Sequence, residues 1–259
     1  MIQAIFIDVD GTLLSHSQKK VPDSARRALN AVQQKGIKIF LATGRHPIEL
    51  AMLPLEGLHF DARVLLNGSL VLDADDTIIH SKPLSESSMK RLSRAFAEGE
   101  ESLMFVTADR MYVNKIKPET VRAQASISTP VPPVGEYRGE PVYQGVVYGE
   151  DAVGDVYRRL LPECALTRWH EGAFDIIPAD GGKSDGISAL LKSEGLDASE
   201  IICIGDGEND ADMIAFAGIG IAMGNADPKS KAAADYVTAD IDDDGLAKAL
   251  THFGLISEV

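Results

Sequence analysis

Short apolar runs and amphipathic stretches alternate along the first third of the chain. The run 4–7 is too short and too rich in β-branched residues for a helix, so it predicts a buried strand. A helix-start signal at Pro22 precedes apolar residues at helical spacing, and Gly36 ends that segment. The runs 37–42 and 64–66 predict two further buried strands.

The last third repeats this alternation. The pattern predicts a helix over about 184–193, a strand over 201–204, a helix near 210–216 and a short strand over 219–222. Strands separated by helices at this spacing indicate a parallel sheet with helices on both faces. The predicted fold class is therefore α/β, with a Rossmann-like, doubly wound parallel-sheet core.

The middle of the chain follows another pattern. Strands predicted there are 103–107, 111–113, 144–148, 166–169 and 174–177. The three prolines within 129–133 exclude a helix interior or a central strand and predict a loop. We interpret this region as an α+β domain inserted into the core. The predicted boundaries are 1–81 and 183–259 for the core and 82–182 for the insertion.

The charge balance limits the class of partner. The 259 residues include 25 Lys and Arg against 39 Asp and Glu, a formal net charge of −14. Nucleic-acid binding depends on clustered basic residues, so this balance argues against a nucleic-acid partner. A phosphate site in such a protein has to be made positive locally, by a metal ion, a lysine or backbone N–H groups.

The sequence carries no signal for membrane insertion or export. Its apolar runs fall short of the roughly 20 residues needed to cross a bilayer, which argues against a membrane partner. The run 2–7 meets Asp8 without a basic region before it, so we do not expect a signal peptide. Cys164 and Cys203 are too few for a disulfide framework or a cysteine metal site. We expect a cytoplasmic protein.

Two acidic residues stand at the end of the first predicted strand, in Asp8-Val9-Asp10-Gly11-Thr12. In an open parallel sheet, ligands bind beyond the carboxyl ends of the strands, where Asp8 and Asp10 are placed. Two neighbouring carboxylates repel each other and need a cation or a shared proton to coexist. Gly11 lets the backbone turn closely around a bound group. The same pattern is also typical of an Asp-rich loop that caps the next segment.

Candidate phosphate contacts occur at two other places. Thr43-Gly44-Arg45 follows the second predicted strand and offers a hydroxyl and backbone N–H groups suited to an oxyanion. Taken alone, this triplet is also typical of a helix cap. Lys183 opens the helix that follows the insertion, where a single lysine is often a solvated surface residue. The position of Thr43 at a strand end places it on the expected edge of the sheet.

A second acidic cluster follows the strand 201–204. Asp206, Asn209 and Asp210 lie in one loop, and glycines flank Asp206 on both sides. Carboxylates suit a hard cation such as Mg²⁺, which takes few protein ligands and keeps several waters. Calcium is the alternative, but the loop lacks the alternating acidic ligands and the closing Glu of an EF-hand.

Taken in order, these residues resemble the four motifs of the haloacid dehalogenase superfamily. The matching residues are Asp8 to Thr12, Thr43, Lys183, and Gly205-Asp206 with Asn209-Asp210. A closer resemblance, to the Cof-type sugar phosphatases, is carried by Leu41 to Arg45, Asn67-Gly68 and Gly220 to Ala226. The resemblance covers both core segments and is weak over the insertion, which in that family is a mobile α/β cap.

The resemblance implies a magnesium-dependent phosphatase that acts through an aspartyl-phosphate on a small phosphorylated metabolite. Asp8 would attack phosphorus, and Asp10 would protonate the leaving oxygen and later activate water. Mg²⁺ would bind Asp8, the backbone carbonyl of Asp10 and Asp206. Asp210 would hold a metal-bound water or orient a ligand.

The resemblance also implies a phosphate-binding set. Thr43, Gly44 and Lys183 would bind phosphoryl oxygens, and Asn209 would orient Lys183 or the phosphate. Further candidates for contact with the phosphate or the rest of the substrate are Gly11, Arg45, Arg168, Trp169 and His170.

Other functions fit the same residues. A phosphomutase of this superfamily shares the motifs but retains the phosphoryl group instead of giving it to water. A non-catalytic sensor would keep the site for binding a phosphorylated metabolite. A receiver-type signalling domain would have no use for the insertion or for the second acidic cluster.

The insertion is expected to close over the core site and to choose the substrate. Its two connections can act as hinges, and Gly181-Gly182 gives one of them extra backbone freedom. Trp169 could stack on a sugar or a pyridine ring, although residues 168–171 also fit an ordinary exposed hairpin turn. Sugar phosphates, pyridoxal phosphate, flavin mononucleotide and nucleotides all remain open as substrates.

Overall fold

A computed structural model of the protein describes residues 1–127 and 129–257, which form two compact units. The first unit consists of residues 1–45, 52–80 and 182 onward, and the second of residues 46–51 and 81–181. Among the described residues, none of the helices has the length and apolar character required to cross a bilayer.

An eight-stranded sheet organises the first unit. Its strands are β1 (Ala4–Ile7), β2 (Lys38–Ala42), β3 (Ala62–Leu65), β4 (Leu70–Asp73), β5 (Ile78–Ser81), β11 (Ile201–Gly205), β12 (Ile219–Ala222) and β13 (Tyr236–Val237). Their order is β13-β12-β11-β1-β2-β3-β4-β5, and β3 pairs with β4 in the antiparallel sense. The six strands from β13 to β3 are parallel.

The central strand β1 explains why this sheet is covered on both faces. Its residues pair with β2 on one side and β11 on the other, with Ala4 opposite both Lys38 and Ile201. Successive side chains of a strand point to opposite faces, and all four residues of β1 are fully buried. Helices must therefore cover both faces, as in other parallel sheets. The predicted α/β fold with a parallel-sheet core is confirmed.

Among the residues that the structure describes, five α-helices belong to this unit. They are α1 (Asp23–Gln34), α6 (Lys183–Glu194), α7 (Ala211–Phe216), α8 (Pro228–Ala233) and α9 (Gly245–His252). In α1 the buried residues recur at helical spacing, including Ala25, Ala28 and Val32, so one stripe of the helix faces the core. Gly36 has φ +78° just after this helix, the left-handed conformation in which helices commonly end.

The second unit contains a five-stranded sheet of antiparallel pairs. Its strands are β6 (Ser102–Val106), β7 (Met111–Val113), β8 (Gln144–Tyr148), β9 (Cys164–His170) and β10 (Ala173–Pro178), in the order β7-β6-β8-β10-β9. The helices are α2 (Pro47–Leu50), α3 (Glu86–Glu98), α4 (Pro118–Ser126) and α5 (Asp151–Leu160). Residues 129–133 form neither helix nor strand, as their prolines predict.

One face of this second sheet carries the unit's apolar core. Phe105, Val147 and Phe174 from three strands pack with Leu92 of α3 and Tyr157 of α5. The rings of Phe96 and Phe105 stack at 4.3 Å between centroids, which adds aromatic contact to the area that is buried.

The segment 46–51 groups with the second unit, although the sequence pattern places it in the core region 1–81. Its anchor is His46, a buried residue whose Nε2 lies 2.9 Å from the carbonyl oxygen of Thr107. Burial lowers the pKa of His46, so the neutral imidazole donates from Nε2 while Nδ1 accepts from the N–H of Ile48. Such a long-range bond cannot be predicted from sequence periodicity.

We predict that Gly68→Ala destabilises the first unit strongly. Gly68 has φ +93°, and a Cβ there would lie 1.9 Å from the carbonyl oxygen of Gly182. We expect the free energy of unfolding to fall by more than about 3 kcal/mol in urea titrations. Gly36→Ala is the control, because Gly36 shares the positive φ but has open space around it. It should cost only about 1 kcal/mol, and equal losses would contradict the steric argument.

Candidate active site

Chemistry-bearing residues gather at the carboxyl ends of three neighbouring strands. Asp8 follows β1, Thr43 follows β2 and Asp206 follows β11, and these strands are adjacent in the sheet. Carboxylate oxygens of Asp8, Asp206 and Asp210 all lie within 4.8 Å of one another. The two acidic clusters, almost 200 residues apart in sequence, therefore form one group.

Lys183 is the counter-ion of this group. Its Nζ donates to Asp8 Oδ1 at 2.6 Å, to Asp210 Oδ1 at 2.5 Å and to the carbonyl oxygen of Ala42 at 2.8 Å. The side chains of Lys183 and Asp210 are fully buried, and that of Asp8 is nearly so. All three donor positions of the ammonium group are thus satisfied inside the protein.

The electrostatics show an excess of negative charge. Burial raises the pKa of Asp8 well above its usual range, and the charges of Asp210 and Asp206 raise it further against the effect of Lys183. Burial also raises the pKa of Asp206, to about 6, despite a hydrogen bond from Thr12. Burial alone would lower the pKa of Lys183, but Asp210 and Asp8 outweigh it and the pKa is raised. One lysine does not balance three carboxylates.

The donor set fits a divalent metal ion. Three carboxylates that repel one another within 4.8 Å offer the hard oxygen ligands that Mg²⁺ and Ca²⁺ prefer. A bound cation would remove the repulsion that raises the pKa values of Asp8 and Asp206. The residues that would hold it are therefore Asp8, Asp206 and Asp210.

Asp206 is held in place by two parts of the chain. Thr12 Oγ1 donates to its Oδ1 at 2.7 Å, and Asn225 Nδ2 approaches its Oδ2 at 3.3 Å. Asn225 also donates to the carbonyl oxygen of Gly11 at 2.8 Å. Gly11 has φ +83°, and a Cβ there would lie 2.2 Å from Asp206 Oδ2, so only glycine fits. Thr12 and Asn225 were not singled out as site residues in the sequence.

Asp10 stands apart from the three-carboxylate group. Arg45 binds it through two hydrogen bonds, from Nε at 2.5 Å and from Nη2 at 2.7 Å. This two-bond geometry fixes both oxygens of the carboxylate. The pair joins the loop after β1 to the loop after β2, so Arg45 contacts a predicted catalytic residue. Its predicted contact with phosphate stays a prediction, as does the Asp10 carbonyl as a metal ligand.

Asn67 is a third residue that the sequence analysis did not single out as a site residue. Its backbone N–H donates to the carbonyl oxygen of Thr43 at 3.1 Å, and its Oδ1 accepts from Asn209 Nδ2 at 2.9 Å. A Cβ on Gly44 would lie 3.0 Å from the same Oδ1, so Gly44 leaves room for this side chain. Asn67 has φ +53°, a left-handed conformation that asparagine tolerates better than most residues.

The side chain of Asn209 contacts Asn67. Its predicted contact with Lys183 or the phosphate stays a prediction. Thr43 is buried, and its Oγ1 accepts from the backbone N–H of Arg45 at 3.2 Å. Asn67 therefore joins the Thr43 loop to the Asn209 loop.

Lys183 takes its position from the start of α6. Gly182 precedes the helix and has no side chain to cap it. Asp212 from α7 supplies the cap instead, because its Oδ2 accepts from the N–H of Ser184 at 2.9 Å and from the Ser184 hydroxyl at 2.8 Å. A carboxylate at this end also suits the helix dipole.

The remaining sequence candidates lie in the second unit, on β9. Arg168 donates to Asp151 at 2.8 Å and to the carbonyl oxygens of His170 and Glu171. The ring of Trp169 lies 6.0 Å from that of His170, measured between centroids. His170 Nδ1 accepts from the backbone N–H of Gly172 at 3.0 Å. These bonds order the β9–β10 turn, and contact of its residues with substrate stays a prediction.

Comparison with known proteins finds similarity to hydrolases and phosphatases. The sequence profile of haloacid dehalogenase-like hydrolases matches residues 5–250. YkrA of Bacillus subtilis is 33% identical over 97% of this chain and 98% of its own length. The phosphatase BT1666 from Bacteroides thetaiotaomicron is 33% identical, with a TM-score of 0.90 over 99% of this chain and 96% of that one. The sugar phosphatase BT4131 is 30% identical, with a TM-score of 0.85 over 98% and 100%.

We predict that Lys183→Met destabilises the metal-free protein. The substitution keeps the length of the side chain but leaves the buried carboxylates of Asp8 and Asp210 without their counter-ion. We expect the free energy of unfolding, measured by urea titration with a chelator present, to fall by about 3 kcal/mol or more.

Lys229→Met is the matched control for that measurement. It removes an ion pair with Glu208 in which both side chains are mostly exposed, so the urea midpoint should not move. An unchanged midpoint in Lys183→Met would show that the buried group of charges is not held together by the lysine.

Proposed function

The chain belongs to the haloacid dehalogenase-like hydrolase family and is an enzyme of the phosphatase type, and we propose that it hydrolyses a small phosphorylated metabolite through an aspartyl-phosphate on Asp8. The family resemblance drawn from the sequence motifs is confirmed. The proposal goes further, to the nucleophile, the metal ion and the class of substrate.

The observation that carries the proposal is the buried group of Asp8, Lys183 and Asp210 at the strand ends. Phosphoryl transfer needs a nucleophile in line with the leaving oxygen and charge neutralisation around phosphorus. Asp8 is fixed at one oxygen by Lys183, which leaves its other oxygen without that partner. Lys183 keeps its charge beside the place where a phosphate dianion would bind, because two carboxylates hold its proton.

Two bond changes make up the first half-reaction. A carboxylate oxygen of Asp8 forms a bond to phosphorus, and the bond between phosphorus and the leaving oxygen breaks. Asp10 gives a proton to that oxygen, so an alcohol departs. For this transfer Asp10 must enter protonated, so the hydrogen bond from Arg45 to the oxygen that carries the proton opens, and the bond to the other oxygen keeps the side chain oriented.

Water completes the cycle in the second half-reaction. Asp10, now ionised, takes a proton from a water molecule that attacks the phosphorus of the aspartyl-phosphate. Inorganic phosphate leaves and Asp8 is restored. Mg²⁺ bound by Asp8, Asp206 and Asp210 would neutralise the phosphate charge and orient its oxygens. Thr43 and the backbone of Gly44 are proposed to bind the phosphoryl oxygens that face the β2 end.

The second unit is proposed to select the substrate. As a cap over the site it would exclude bulk water, strengthen the electrostatics and admit only leaving groups that fit. Residues 82–182, with the segment 46–51 that groups with them, make up the cap in this proposal. Trp169 and His170 are the candidates for contact with the leaving group.

We predict that Asp8→Asn keeps the fold and loses turnover by several orders of magnitude, because the amide cannot attack phosphorus. Phosphate release and isomerisation of a hexose monophosphate are followed in the same assay, which separates a phosphatase from a phosphomutase. Asp61→Asn is the control, since Asp61 accepts from the N–H of Ile39 at the amino end of β3 and should leave the rate unchanged. An Asp8→Asn protein with a tenth of the normal rate would refute the nucleophile assignment.

We predict that activity requires Mg²⁺ or a close substitute such as Mn²⁺, and that Ca²⁺ inhibits. Ca²⁺ takes more ligands at longer distances, so it would hold the phosphate out of line. Phosphate release is measured after exhaustive chelation and again after each ion is added back. Full activity in the chelated enzyme would rule the metal out of the mechanism.

A further inference from the structure

The loop that follows Asp10 is folded tightly back on itself. The N–H of Gly11 donates to the carbonyl oxygen of Leu14 at 3.0 Å, and the N–H of Ser15 donates to that of Lys20 at 3.0 Å. Leu14 is buried, so the first of these turns is fixed in the core of the first unit. The chain beyond it lies at the surface, close to the loop that carries Asp10.

A single carboxylate fixes the residues on both sides of His16. Asp242, just before α9, accepts from the Ser15 hydroxyl at 2.6 Å and from the Ser17 hydroxyl at 2.5 Å. It also accepts from Gln18 Nε2 at 2.9 Å. The bond from Ser15, followed by that from Ser17, lowers the pKa of Asp242, so this acceptor is ionised at neutral pH. The backbone of His16 is therefore held by bonds to its two neighbours.

The side chain of His16 reaches back toward Asp10. Its Nε2 lies 3.9 Å from Asp10 Oδ1, beyond the range of a direct N–H···O hydrogen bond. Two hydrogen bonds of about 2.8 Å that meet at one oxygen atom span up to about 5.6 Å, so a single oxygen can contact both atoms. The imidazole is 69% exposed, so it adds little to the packing of the core. Its position suits contact with a bound molecule.

The charge of Asp10 does not account for His16. Arg45 already pairs with this carboxylate, through Nη2 to Oδ1 at 2.7 Å and through Nε to Oδ2 at 2.5 Å. A further ion pair with a largely exposed imidazole would contribute little to stability. Proton transfer from Asp10 requires one of the two Arg45 bonds to open, and the longer of them is at Oδ1. This is also the oxygen that faces His16.

We propose that His16 donates a hydrogen bond from Nε2 to the leaving oxygen while Asp10 protonates the same oxygen from Oδ1. The bond between phosphorus and the leaving oxygen breaks, its electron pair stays on that oxygen, and the proton of Oδ1 moves to it. His16 keeps its own proton and stabilises the negative charge that develops on the oxygen. Asp242 is the positioning residue, because it fixes the loop that carries His16.

The inference rests on the proposed phosphatase function and uses residues of the first unit alone. It adds a catalytic residue, His16, to the group at the strand ends. It also gives Asp242 a role that reaches the reacting atoms through His16.

The test compares phenyl phosphate with 4-nitrophenyl phosphate. The two leaving groups are similar in shape, but phenolate is the more basic and depends more on donors at the leaving oxygen. The constant kcat/KM covers the steps up to the aspartyl-phosphate, so the shared reaction with water does not enter it. We expect His16→Ala to lower kcat/KM about tenfold for phenyl phosphate and less than about threefold for 4-nitrophenyl phosphate.

His59→Ala is the matched control. His59 Nε2 also lies 3.9 Å from an aspartate oxygen, that of Asp61, and its side chain is 71% exposed. This pair lies at the amino end of β3, so both rate constants should be unchanged. His16→Gln keeps an N–H donor and should hold kcat/KM for phenyl phosphate within about threefold of the wild-type value. A loss as large as that of His16→Ala would overturn hydrogen-bond donation by His16.

Asp242→Ala tests the positioning role in a double-mutant cycle. In the wild-type background it should lower kcat/KM for phenyl phosphate about threefold or more, and affect 4-nitrophenyl phosphate less. In the His16→Ala background it should have no further effect, because the residue that it positions is gone. Additive losses in the double variant would overturn the positioning role of Asp242.

The same assays separate this inference from the proposed function. A wild-type enzyme with Mg²⁺ that releases phosphate from neither aryl phosphate nor from acetyl phosphate would overturn the proposed function and the role of His16 with it. An active wild-type enzyme whose preference between the two aryl phosphates is unchanged by His16→Ala would overturn the role of His16 alone, and the phosphatase function would stand.

Discussion

The buried ammonium group of Lys183 is the constraint on which the first unit depends. Removing a charge from water costs several kcal/mol, so Lys183 can stay buried only while Asp8, Asp210 and the Ala42 carbonyl surround it. Those three partners come from the ends of β1 and β2 and from the loop after β11. The order β11-β1-β2 in the sheet is what brings them together. Sheet topology, helix α6 with its cap from Asp212, and the buried group of charges are therefore parts of one arrangement.

That dependence explains why so much of the first unit can be predicted from the sequence. Buried parallel strands must be continuous apolar runs, and β1 and β11 are such runs. Residues that directly follow such strands must lie at one edge of the sheet, which places Asp8, Thr43 and Asp206 without any knowledge of the turns. The carboxylate excess then calls for a cation. Local pattern and topology suffice for these features because each candidate is attached to a strand end.

Features that depend on long-range contacts could not be predicted in the same way. Asn67 enters the site through a left-handed turn and a bond to Asn209, which is 142 residues away. Asn225 reaches Gly11 and Asp206 from a loop after β12. None of these residues stands in a periodic pattern, and each acquires its role from a partner distant in sequence.

The second unit is built from two separate pieces of chain, and this bears on how such proteins can be recombined. Grafting the long insertion alone from one relative to another would leave residues 46–51 behind with the recipient. The graft would lose the buried bond between His46 and Thr107, and Glu49 would face an Asp175 from another lineage. Residues 46–51 and the long insertion must therefore be transferred together. A chimera that transfers the whole second unit has junctions at 45/46 and 51/52 as well as at 80/81 and 181/182.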